Sequence, residues 1–162
     1  MCVLSFVFPI LLSFRRKFSN YGLICFGLLV FIGLAILEMT VFVRYCGLMP
    51  HAYGIDLISG LNRIFHGGEP GWREIISNTV AFVPFGFFIS EFLFSTNQLS
   101  FRICSNYVLL VAFSFSLCIE CLQMVLKVGF FELTDLLTNT LGAFLGTLIS
   151  SAIRNSLKRS HL

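Results

Sequence analysis

The chain alternates long apolar runs with short polar joints, and four of the runs are long enough to cross a bilayer. They lie at Tyr21 to about Val43, Ile75 to Phe94, Ser105 to Leu126 and Leu133 to Ile153. Each approaches the ~20 residues that a hydrocarbon core of about 30 Å demands of a helix. The runs are continuously apolar rather than alternating, which predicts helices and not barrel strands. The pattern therefore predicts an all-α integral membrane protein, a four-helix bundle over residues 21–153. A short apolar and basic segment, 1–20, precedes it, and a basic tail, 154–162, follows. The stretch Met1–Phe14 is too short for a comfortable span. Its Arg15-Arg16-Lys17 cluster follows the apolar run, the reverse of a signal peptide, so it reads first as an interfacial segment, with an uncleaved leader or an over-early start codon as the alternatives.

Composition agrees with this class. The chain is 57% hydrophobic and 12% charged, with a mean hydropathy of +0.90, where soluble domains carry about 25% charged residues. The net charge of +3 is small, and the basic residues sit beside the apolar runs, which argues against nucleic-acid binding. With the N-terminus inside, Arg15, Arg16, Lys17, Arg102, Arg154, Lys158 and Arg159 share one side. Arg44, Arg63, Arg73 and Lys127 share the other, a bias that predicts both ends inside.

Against this apolar background, six polar residues stand out. Glu120, Gln123, Asp135 and Asn139 lie inside the third and fourth runs, Glu38 near the end of the first, and Asn78 near the start of the second. A carboxylate at the centre of a membrane helix costs roughly 2.5–3.5 kcal/mol on insertion scales, so such groups usually face a bundle interior or a wet cavity. In an up-and-down bundle all six fall at one end, roughly 5–15 Å below a single surface at 1.5 Å per residue. That surface is the outer one in the preferred topology. Ser116, Glu120, Gln123 and Lys127 form one helical stripe, and Asp135, Asn139, Gly142 and Gly146 another. Gly142 and Gly146 make a small-xxx-small step, read as internal helix packing. Pro84, followed by Gly86, predicts a kink in the second helix.

Two readings of the carboxylates compete: a ligand-binding or catalytic site, or structural satisfaction through a bond from Glu120 to Asn139 or Asn78. Glu91, near the opposite end of the second run, reads as an interfacial charge. His51 and His66 lack the spacing of a metal cluster, so no metal is expected, and no cofactor either. Cys118-Ile-Glu-Cys121 is a C-x-x-C, but its place late in an apolar helix suits small hydrophobes better than a redox pair.

The ordered set Asn78-x3-Phe82-x-Pro84-x-Gly86, Glu120-x2-Gln123 and Phe131-Glu132-x2-Asp135-x3-Asn139-x2-Gly142-x3-Gly146 resembles the VanZ-like family, over roughly residues 60–153. The resemblance implies a small multi-pass protein of the bacterial cytoplasmic (inner) membrane that acts near the cell envelope. The family's founding association is with reduced susceptibility to teicoplanin. The chain departs from the family in two places. Many members carry an Arg just before the fourth helix, where this chain has Gly129-Phe130-Phe131, and Leu61-Asn62-Arg63-Ile64-Phe65 only loosely follows an N-x-x-P-F pattern. If that Arg serves a carboxylate or an anionic ligand, this chain must use Lys127, Arg73 or nothing in its place.

The first expectation is thus an envelope protein that binds or modulates a lipid-linked or amphiphilic component. Its expected partners are membrane lipids, with a lipid-linked cell-wall precursor, an amphiphilic antibiotic or a second copy of the chain as further candidates. The alternative is a membrane enzyme with Glu120 and Asp135 as paired acid and base. An ion-coupled transporter and a thiol oxidoreductase rank below both. No nucleophile triad or phosphate-cradling loop is present to name a catalytic residue.

Overall fold

The computed structural model describes residues 19–48, 54–55, 69–96 and 99–160. The N-terminal segment 1–18 and most of the long loop, with His51 and His66, lie outside the described residues.

Four helices carry the fold, and all four are long and apolar enough to cross a membrane. Helix α1 covers Asn20–Leu37 and is apolar all round; Ser19 caps it, its hydroxyl accepting from the Gly22 amide at 3.1 Å. The helix does not stop at Leu37 but continues through wider π-helical turns over Glu38–Phe42 and Arg44–Leu48. Such turns are rare and cluster at functional sites. Helix α2 covers Glu69–Thr96 and runs through Pro84 without a break in its assignment. Helix α3 covers Phe101–Val125 and helix α4 Leu133–Ser160. The fourth helix thus extends through most of the basic tail.

The outside and inside of the bundle are the reverse of a soluble protein's. Phe31, Leu34, Val80, Leu110 and Leu137 are exposed, whereas Ser90, Glu91, Ser116, Glu120, Thr147 and Ser150 are buried. An apolar exterior is what lipid solvates, and interior polar groups must find partners among themselves.

Helices α2 and α4 pack most closely, and glycine is the reason. A Cβ on Gly142 would run into the Thr79 carbonyl, and one on Gly146 into the Val83 carbonyl; one on Gly86 would strike the Ala143 backbone. The small-residue step therefore serves internal packing, as expected. Around this seam, Phe82, Phe85 and Phe115 fill the core, with Phe85 and Phe115 stacked at 4.9 Å between centroids.

The turn from α3 to α4 is tightly specified. Lys127 takes a left-handed conformation (φ 58°), a role glycine usually fills. The Val128 amide then bonds the Gln123 carbonyl at 2.9 Å and the Lys127 amide the Met124 carbonyl at 3.2 Å, satisfying the helix end. Phe130–Phe131 pairs in parallel with Gly54–Ile55, tying the long loop to this turn.

Candidate functional site

A cavity of about 360 Å³ opens at one end of the bundle, among the π-helical end of the first span, the first half of α2, the end of α3 and the start of α4. Asn78, Glu120, Gln123, Asp135 and Asn139 all line it. Five of the six polar residues singled out by depth and helical phase are therefore brought together.

Glu38 is not. It is exposed on the outer side of the first span. The residues of that span that line the cavity are Ile36, Thr40 and Arg44, spaced by four. Glu38 lies two residues from Ile36 and from Thr40, a rotation of roughly 200°, and so faces the other way. Its depth was right for the site and its phase was wrong.

Within the cavity the side chains interlock. Glu120, only 1% exposed, accepts from the backbone N–H of Glu132 at 2.9 Å, which ties α3 to the entrance of α4. The expected bond from Glu120 to Asn139 or Asn78 is replaced by this one. Gln123 donates from Nε2 to the Thr40 carbonyl at 3.0 Å, fastening α3 to the π-helical turn. Asn139 donates from Nδ2 to Ser116 Oγ at 2.8 Å. Its Oδ1 is buried without a hydrogen-bond partner among the described residues. A buried acceptor with no donor is uncommon and calls for an explanation.

Glu74 and Arg44 escaped the sequence reading as site residues, and Glu132 entered it only within the family motif. Glu74 and Arg44 line the cavity, and Glu132 is buried beside it. The carboxylate oxygens of Glu74, Glu132 and Asp135 lie within 4.8 Å of one another, the spacing of a cation site, and all three residues also engage in other interactions. Glu74 could have been found: Glu74-x3-Asn78 on α2 repeats the Asp135-x3-Asn139 spacing of α4. By its place in the sequence Arg44 is a topology charge. Its Nη1 lies beside Gly129, where an added Cβ would approach it to 3.0 Å. The guanidinium thus stands next to the Gly129-Phe130-Phe131 segment that leads into α4. The expected substitutes do not line the cavity: Lys127 and Arg73 are both exposed.

Cys118 and Cys121 are exposed, free and absent from the cavity wall.

A second polar cluster sits at the opposite end and corrects the reading of Glu91 as an interfacial charge. Glu91 is 4% exposed and its carboxylate is fully engaged. Oε1 accepts from Ser150 Oγ at 2.6 Å and Arg154 Nε at 3.1 Å; Oε2 accepts from Arg154 Nη2 at 2.8 Å and the Tyr21 hydroxyl at 2.5 Å. One side chain therefore joins α1, α2 and α4. A carboxylate becomes tolerable in the bundle when such donors replace water.

Comparison with known proteins follows the same residues. The chain is 32% identical over 75 residues to "Protein VanZ" of Enterococcus faecium, a match covering 46% of this chain and 42% of that protein. The match thus spans less than half the length of that curated relative. No solved structure matches the chain. The VanZ/LLP1 family model matches residues 36–154, a stretch that begins at the first cavity-lining residue, Ile36, and takes in the whole cavity wall. By that match the chain belongs to the VanZ/LLP1 family.

Proposed function

We propose that this protein uses the cavity between its four helices to bind or modulate a lipid-linked or amphiphilic component of the bacterial cell envelope. The observation that carries this reading is the unpartnered Asn139 Oδ1 in the wall of a mixed polar cavity. An acceptor held buried without a donor is suited to a donor brought by a ligand. The cavity volume, about 360 Å³, lies near the lower end for small-molecule sites. It would admit a polar headgroup or one arm of an amphiphile, not a whole lipoglycopeptide. The apolar exterior would let the ligand's tail remain in lipid while the head enters between helices. Arg44, the carboxylates and the three carboxamides give the lining both donors and acceptors, which suits a hydroxyl- or amide-rich head. In the preferred orientation this end faces outward, where envelope precursors and glycopeptide antibiotics meet the cytoplasmic membrane.

The second reading, an enzyme acting on an envelope lipid, is favoured by the convergence of Glu74, Glu132 and Asp135 within 4.8 Å. One experiment separates the two. A deletion strain is complemented with wild type, Glu120→Gln, Asp135→Asn and Asn139→Leu, and is profiled for envelope-antibiotic susceptibility and extracted lipids. Binding predicts altered susceptibility with Asn139→Leu and Asp135→Asn at normal protein levels, without a new lipid species. A substrate and product pair that the carboxylate variants abolish would establish the enzyme. Wild-type behaviour of all three variants would refute a functional cavity.

A further inference from the structure

A second hollow is larger than the one above. A cavity of about 590 Å³ lies at the opposite end, between the end of α2, the start of α3 and the last turns of α4. One wall is polar and basic: Ser151, Arg154, Asn155 and Lys158. The other is apolar: Phe94, Leu99 and Phe101. We propose that this cavity seats the headgroup of an anionic phospholipid from the leaflet that meets this end of the bundle.

Charge selects an anion. No described carboxylate lines the cavity. Glu91, behind it, is matched by Arg154, so the charge left over is that of Lys158. One phosphodiester carries one negative charge, and the two balance. Arg154 adds direction as well as charge. Its Nε and Nη2 are bound to Glu91, and its guanidinium carbon lies 4.6 Å from the centroid of the Phe94 ring. Nη1 has no protein acceptor among the described residues, and the side chain is 31% exposed. A guanidinium anchored on one edge presents the other in a fixed orientation, the geometry that suits phosphate oxygens. Lys158 is exposed, on a flexible stem that reaches a headgroup while its methylenes stay against apolar surface. Asn155 and Ser151 supply neutral hydrogen-bonding groups for the glycerol portion.

The apolar wall selects a lipid rather than free phosphate. Phe101 is 40% exposed, and the helices around it present an apolar surface. A headgroup bound here would leave its acyl chains along that surface, where they already belong. Basic pockets between membrane helices are established headgroup sites in other proteins.

Native mass spectrometry of the full chain in detergent tests this, with phosphatidylglycerol, phosphatidylcholine and inorganic phosphate titrated separately. The wild type is expected to bind phosphatidylglycerol about five-fold more tightly than phosphatidylcholine, the preference one well-placed basic side chain gives near an anionic lipid. Lys158→Gln should bring the preference to within about two-fold. Asn155→Ala, on the same wall, should weaken it too and keeps the test valid if the lysine variant does not fold. Arg102→Gln, at the same end but outside the cavity, should leave the preference intact. Equal binding of the two lipids by wild type would overturn the proposal. So would loss of preference in Arg102→Gln equal to that in Lys158→Gln, since diffuse charge would then suffice. Displacement of phosphatidylglycerol by equimolar inorganic phosphate would overturn the lipid assignment.

Discussion

Removing either partner of the Glu91–Arg154 pair should destabilise the bundle, and unequally. Glu91 is 6% exposed at its side chain and Arg154 31%. Arg154→Ala strands a buried carboxylate with only Ser150 and Tyr21 as donors, the situation in which breaking a buried pair costs about 3–5 kcal/mol. Glu91→Ala leaves the guanidinium a route to water, so its loss should be smaller, about 2–3 kcal/mol, including the orphaned and fully buried Ser150 hydroxyl. The double variant should lose less than the sum, since removing one partner has already forfeited the pair. The buried thiols Cys25 and Cys104 make a suitable reporter once Cys2, Cys46, Cys118 and Cys121 are replaced by Ser. Heating detergent-solubilised protein with a thiol-reactive dye then reads unfolding directly. At about 2–4 °C per kcal/mol for a domain of this size, the ordering is resolvable. Strictly additive losses, or a larger loss for Glu91→Ala than for Arg154→Ala, would refute the picture of a buried, coupled pair.

Further outcomes follow from packing and exposure. Gly142→Leu should prevent close approach of α2 and α4 and lose at least about 1–3 kcal/mol. Gly27→Ala, with nothing within 4 Å of the new Cβ, should be neutral or slightly stabilising; the same thermal assay compares them. Gln123→Leu should lose about 1 kcal/mol with its bond to Thr40, and hydrogen exchange should rise selectively in the π-helical turns Glu38–Phe42 and Arg44–Leu48. A lipid-permeable maleimide should label the exposed Cys118 and Cys121 in folded protein and spare Cys25 and Cys104, and Cys118→Ser should retain whatever function the cavity variants lose.

How much of this could be read from residues alone depends on which physical signal each part uses. Span number and the use of the Gly142–Gly146 step for internal packing were legible, because apolar run length and glycine spacing are local properties; that α2 is the partner helix is a tertiary fact. Five cavity residues were legible because depth and helical phase are also local, and both pointed inward. Glu38 failed on phase. Its depth matched the others, but Ile36, Thr40 and Arg44 occupy the inward face of that helix.

The charged residues that were misread share a different cause. Helix α4 has 28 residues and helix α2 also 28, so each is about 42 Å long at 1.5 Å per residue. A hydrocarbon core of about 30 Å leaves roughly one turn of overhang at each end. Glu91 lies five residues from the end of α2, and Arg154 six from the end of α4. A charge at that depth looks like an interfacial marker on a hydropathy plot, yet the helices are still packed there and can bury it. Arg44 is the same case at the other end, where the first span continues as π-helix and turns its guanidinium toward Gly129. Depth alone cannot tell a topology charge from a buried one this close to the edge of the hydrocarbon core. What separates them is a partner on another helix, 63 residues away for Glu91 and Arg154, and that pairing is a tertiary fact. The charges that count most for topology and those that count most for structure therefore overlap in this chain. Arg154, a topology charge by its place in the sequence, is the cation of the buried pair.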